Sequence, residues 1–96
     1  MRLVISPMAE QDIEEIGDYI ALDNPARALS FIEELYQQCR RIGETPKLYR
    51  RRDELGKGVR GCPYGRYLIV FSNKQDEARI ERVLHMARDP GPHFAE

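Results

Sequence analysis

Two helix-start signals, Ser6-Pro7 and Asn24-Pro25, constrain this chain more than any other feature of it. In each, a residue that caps a helix N-terminus precedes a proline, whose missing N–H costs nothing in the first turn. Behind the first, Ala9, Ile13, Ile16 and Ile20 recur at spacings of four and three, which is one face of a helix that should stop near Leu22. Glu10 and Asp12 suit the positive end of that helix's dipole. Behind the second, Ala28, Ile32, Leu35, Cys39 and Ile42 repeat the pattern, Phe31 and Tyr36 widen the stripe, and Gly43 is placed to end the helix. The link between the helices is so short that they must pack as an antiparallel hairpin. Stripes at this spacing read as core rather than as partner-binding faces.

The remaining segments read as β-structure. Leu3-Val4-Ile5 is a short apolar run ended by Ser6-Pro7. Residues 43–58 have no clear period and hold Pro46, the run Arg50-Arg51-Arg52, Gly56 and Gly58, so a loop with room for a short helical turn is expected. Val59 to Cys62 reads as a strand broken by the turn signal Pro63-Tyr64-Gly65. Arg66 to Ser72 is a second strand, with Tyr67, Ile69 and Phe71 on one face and Leu68 and Val70 on the other. After the polar turn Asn73–Asp76, Ala78 to Met86 is a third, with Ile80, Val83 and Leu84 as its apolar members. The order β-α-α-β-β-β predicts an α+β domain, a helical hairpin packed on a small, mostly antiparallel sheet. A chain of 96 residues has room for one such domain, 1–96, with 90–96 expected as a flexible tail.

With 42% hydrophobic and 32% charged residues the composition is that of a folded globular chain. The longest apolar run, Tyr67 to Phe71, is far short of the roughly 20 residues that span a bilayer. No basic segment followed by an apolar stretch opens the chain, so neither a signal peptide nor a membrane anchor is expected and a cytoplasmic location is. Cys39 and Cys62 are too few and too far apart for a zinc site or a disulfide scaffold and read as buried thiols. The charge is unevenly placed. Residues 1–45 carry four basic side chains against nine acidic ones, a net of −5; residues 46–96 carry eleven against seven, a net of +4. Either the basic half faces an anionic partner or the two halves neutralise each other in the fold.

Three constellations bear on chemistry. Gly56-Lys57-Gly58-Val59-Arg60-Gly61 spells G-x-G-x-x-G, but no helix signal follows it, so nucleotide binding is not expected and the glycines serve turns and close backbone approach. Arg50, Arg51 and Arg52, with Lys47, Lys57 and Tyr49 nearby, form a basic cluster that either binds an anionic partner or is a solvated face. Arg60, Arg66, Arg82, His85 and Arg88 lie on or beside adjacent strands. Such a set can stabilise a transferring phosphoryl group and protonate a leaving oxygen, or pair with acidic side chains of a partner protein. His93 lies in the expected tail. No Ser-His-Asp motif, carboxylate pair or metal-spaced His/Cys set is visible, and no cofactor is expected.

In the order and spacing of Ser6-Pro7-x-Ala9, Asp12-Ile13-x-x-Ile16-x-x-Tyr19-Ile20, Asp23-Asn24-Pro25, Ala28-x-x-Phe31-Ile32-x-x-Leu35, Val59-Arg60, Gly65-Arg66-Tyr67 and Arg82-Val83-Leu84-His85-x-Ala87-Arg88-Asp89, the chain resembles ParE-type toxins of the RelE/ParE superfamily. The resemblance runs from Leu3 to Asp89. It implies the toxin of a type II toxin–antitoxin pair, with a helical hairpin against a small sheet. The implied partner is a cognate antitoxin, a small dimeric DNA-binding protein whose disordered C-terminal segment wraps the toxin, so that operator DNA is met only through the antitoxin. In the ParE branch the implied target is DNA gyrase; in the RelE branch the activity is ribosome-dependent mRNA cleavage, without a metal. RelE-type nucleases often carry a tyrosine near the C-terminus, and His85-Met86-Ala87-Arg88-Asp89-Pro90 has none. The resemblance therefore favours gyrase inhibition. In that case Arg50, Arg51, Arg52, Arg60, Arg66, Arg82, His85 and Arg88 are partner-binding candidates; in a nuclease, Arg60, Arg66, Arg82, His85 and Arg88 are the catalytic candidates.

Overall fold

The two caps form as the sequence dictates in the computed structural model, which describes residues 2–87. Ser6 accepts a hydrogen bond from the Ala9 N–H and opens α1 (Pro7–Ala21); Asn24 accepts from the Arg27 N–H and opens α2 (Pro25–Glu44). Around them run β1 (Arg2–Ile5), β2 (Arg50–Arg51), β3 (Val59–Tyr64), β4 (Tyr67–Lys74) and β5 (Glu77–His85), with a 3-10 turn at Pro46–Leu48. The strands make one sheet in the order β1-β5-β4-β3-β2, antiparallel except where β1 runs parallel to β5. This is the expected α+β architecture with one strand more.

The helices cover one face of the sheet. Ile13, Leu35, Cys39, Ile42, Ile69, Phe71 and Ile80 are almost fully enclosed between the two layers. The apolar stripe of α2 is centred on Phe31 rather than Ile32, which is only partly buried. The opposite sheet face carries a smaller cluster, Val59, Leu68, Val70 and Leu84, closed by Leu55 from the loop before β3. All five residues from Tyr67 to Phe71 are thereby buried, as a central strand enclosed on both faces requires.

Four local expectations are corrected. Gly43 does not end α2, which runs one residue further; it lets the helix approach β1, since a Cβ there would sit 3.3 Å from the Leu3 Cβ. Pro63 does not break β3. It lies beyond the end of the two-residue β2, on the stretch of β3 left as an edge, where a missing N–H removes no ladder bond. The turn is Gly65-Arg66, with Gly65 at φ 58°. Part of the segment read as a loop is strand: Arg50 and Arg51 pair with Gly61 and Arg60.

β5 contains an irregularity that repositions its apolar side chains. Val70 pairs with Arg82 and Phe71 with Ile80, so Glu81 is an extra residue in the ladder. Ile80 and Val83, three apart, consequently reach the same helix-facing core. The bulged Glu81 is held at both ends: its carbonyl accepts from the Ser6 hydroxyl at 2.9 Å and its carboxylate from Ser72 at 2.8 Å.

Candidate functional site

β1 leaves the sheet at Ile5, so the C-terminal part of β5 loses its strand neighbour there and α1 takes its place. Asp12 makes this possible. Its carboxylate accepts from the Val83 backbone N–H at 2.9 Å, and from Arg82 through two bonds of 2.7 and 3.0 Å. A single side chain thus satisfies an edge N–H and fixes a guanidinium in a bidentate pair. Between α1 and this edge lies a cleft of about 370 Å³, with Asp12, Tyr19, Tyr67, Arg82 and His85 among its lining.

His85 ends β5 with its ring set edge-on to Tyr67, centroids 5.1 Å apart at 87°. Its Nδ1 accepts from the Ala87 N–H at 3.2 Å. Tyr67 in turn packs on Phe31 at 5.7 Å, and Phe31 on Tyr64 at 5.8 Å. Arg27 lies 5.1 Å over the Phe31 ring and pairs with Glu34, which also accepts from the Tyr64 hydroxyl. The Arg27 guanidinium, followed by the Tyr64 hydrogen bond, holds the Glu34 carboxyl below its ordinary value, and the same pair raises Arg27.

The structure brings together Arg66, Arg82 and His85 at this end of the sheet, and separates the other candidates from them. Arg66 is exposed at the β3–β4 turn. Arg60 is at the other end of β3 and donates to the Tyr49 carbonyl at 2.7 Å, so it acts as a brace for the segment before β2. Arg50 and Arg51 form the sheet edge; Arg51 pairs with Asp53 and Arg52 with Glu54. A charged edge strand discourages pairing with stray strands. Arg88 and the tail 90–96 lie outside the described residues. Sequence reasoning missed Asp12, Tyr19 and Tyr67 as site residues, because nothing in their spacing distinguishes them from a solvated helix face or a core strand.

Other groups are inert by burial. Burial pushes the Cys39 thiol up to about 12 and raises Cys62 as well, against the opposing effect of the Gln38 amide that donates to its sulfur. Gly56 and Gly58, at φ 159° and 77°, shape the loop before β3, and no helix follows them. Among the described residues no group of His, Cys, Asp or Glu could hold a metal ion, and no helix is long and apolar enough to cross a membrane.

Residues 3–90 match the family described as ParE toxin of type II toxin–antitoxin system, parDE. A solved structure described as a chromosomal ParDE toxin–antitoxin system from P. aeruginosa shares the fold. It superposes with a TM-score of 0.79 at 22% identity, over 88% of this chain and 95% of that one. No curated protein matches in sequence.

Proposed function

We propose that this chain, which belongs to the ParE toxin family of type II toxin–antitoxin systems, inhibits DNA gyrase by binding to it and is neutralised by a cognate antitoxin. The antitoxin is a small dimeric DNA-binding protein with a disordered C-terminal segment, so the pair forms a hetero-oligomer that meets operator DNA through the antitoxin. The toxin acts in the cytoplasm, where gyrase is.

One observation supports a binding inhibitor over a nuclease: the candidate arginines are not jointly available to one transferring group, because Arg60 lies apart from the Arg66, Arg82 and His85 end and Arg82 is already held by Asp12. Arg82 is clamped by Asp12, Arg60 is turned to the Tyr49 carbonyl away from the His85 end, and Arg66 stands at a turn. Phosphoryl transfer needs several donors aimed at one transferring group, together with a positioned acid and base. A binding surface needs only several contributors spread over an area.

The test is a gyrase supercoiling assay run beside in vitro translation with primer-extension mapping. Purified toxin is expected to stop supercoiling while translation proceeds on uncut mRNA. Cleaved mRNA with unimpaired gyrase would establish the nuclease reading instead.

A further inference from the structure

Three depressions meet at one end of the sheet. The cleft along β5 shares Tyr19, Tyr67 and His85 with a broader hollow of about 540 Å³, which is floored by Phe31 and Tyr67. That hollow shares Gly65, Arg66 and His85 with a third of about 380 Å³ that ends at Met86 and Ala87. They form one continuous concavity at the β3–β4 turn.

The chemistry of this face is that of an interface centre. Tyr19 is 59% exposed and Met86 47%, and aromatic residues, Met and Arg are the types enriched where binding energy concentrates. The floor is held by ring-on-ring packing: Tyr64 and Tyr67 lie tilted against Phe31, and His85 is set edge-on to Tyr67. A floor packed in this way has less freedom to lose on binding. Three arginines line this face, and Arg27 is paired with Glu34 and Arg82 with Asp12, so Arg66 is the cation offered in the two hollows at the turn, while Glu15 lines the β5 cleft only. Arg66 is exposed and has neither a hydrogen bond nor an ion pair from its side chain among the described residues, whereas Arg51 and Arg52 of the basic run are each paired to a neighbouring carboxylate.

Resting on the reading of the chain as a gyrase inhibitor, we propose that this concavity, centred on Tyr19, Arg66 and Met86, is where the toxin grips gyrase. It takes a segment of the target that brings a carboxylate to Arg66 and an apolar side chain to the aromatic floor. Charge complementarity sets the acidic group, and the apolar floor sets its neighbour. The site lies at a turn and at strand ends, so it recognises side chains; the antitoxin segment is instead suited to the sheet edge at β1, a four-residue strand with one side unpaired in the sheet order. The two partners therefore engage different parts of the toxin.

The test uses the variants Tyr19→Ala and Arg66→Glu, with Lys74→Glu at the opposite end of the sheet as a control. Each is measured for gyrase inhibition, for calorimetric affinity to the antitoxin, and for melting temperature. Tyr19→Ala and Arg66→Glu are each expected to raise the toxin concentration needed for half-inhibition about tenfold or more. Antitoxin affinity and melting should stay at wild-type values, Lys74→Glu should inhibit normally, and Arg66→Lys, which keeps the charge, should lose less inhibition than Arg66→Glu. If a site variant melts low, Arg66→Gln reads the same contact without reversing charge. Full inhibition by both site variants, with the wild type active, would overturn this site and leave the gyrase reading standing. An equal loss of antitoxin affinity would overturn the separation of the two partners. Tight binding of a single-stranded RNA oligonucleotide, abolished by the same variants, would replace the protein segment with nucleic acid. A wild-type protein that leaves gyrase untouched would remove both readings together.

Discussion

Asp12 closes the sheet where β1 ends, through one bond to the Val83 N–H and two to Arg82. Its partner Arg82 is about three-quarters buried and Asp12 more so, with side-chain exposures of 23% and 13%. Removing one member of such a pair leaves the other charge poorly compensated, and here the Val83 N–H as well. Asp12→Ala is expected to cost about 2–4 kcal/mol, below the fully buried range because some solvent reaches the pair. Chemical denaturation checks it, and a loss under about 0.5 kcal/mol would mean that α1 holds the β5 edge by apolar packing alone. Glu34 shows the opposite case, an exposed carboxylate tuned by neighbours. Its folded-state carboxyl titrates below the ordinary value of 4.5, first because of Arg27 and then because of the Tyr64 hydroxyl. The stabilising contribution is therefore present above the unfolded value and disappears as pH falls through the folded one. A carboxyl-resolved NMR titration should place Glu34 below an ordinary glutamate, and Tyr64→Phe should move it part of the way back.

The helical hairpin was legible in the sequence nearly to the residue, because Ser6-Pro7 and Asn24-Pro25 are local signals whose capping bonds form within the first turn. The strands were legible as a set, and the alternation of Tyr67 to Phe71 gave both faces of β4 correctly. Sheet edges were not, since their limits depend on pairing partners distant in sequence. Pro63 reads as a breaker until β2 is known to end before it, and Arg50-Arg51 reads as loop until β3 is there to pair with it. The spacing of Ile80 and Val83 fits neither an alternating strand nor a helix, and the bulge at Glu81 is its resolution. Leu55 escaped notice for the same reason: a lone leucine in an aperiodic loop gains meaning only from the sheet face it covers. At this scale the α2 stripe makes a direct prediction. Leu35 is fully buried between hairpin and sheet. Leu35→Ala should cost about 2–5 kcal/mol, a large share of the stability of so small a domain. A thermal melt unchanged by it would show that the layer collapses around the lost methyl groups.

At the scale of the molecule, the ion pairs of the described residues leave most of the acidic first half and basic second half unmatched to each other. Among the described residues, Arg82–Asp12 joins the halves, whereas Arg27–Glu34, Arg51–Asp53, Arg52–Glu54 and Arg79–Glu81 each stay within one. The positive excess of residues 46–87, ten basic side chains against five acidic, is thus carried on the sheet and its loops, while the hairpin carries the negative one. An antitoxin segment laid along an open sheet edge gains main-chain hydrogen bonds from the edge itself and long-range attraction from the surrounding cations. The first contribution is insensitive to salt and the second is not, since at about 0.15 M the screening length is already near 8 Å. Calorimetry of the toxin with a cognate antitoxin should therefore show an affinity that weakens between low and physiological salt and then levels off at a value still tight enough to measure. Binding that vanishes at high salt would mean that charge alone holds the pair and that no strand is added. Binding indifferent to salt would assign the basic half to another partner. Absence of any binding would remove the antitoxin from the account of this chain.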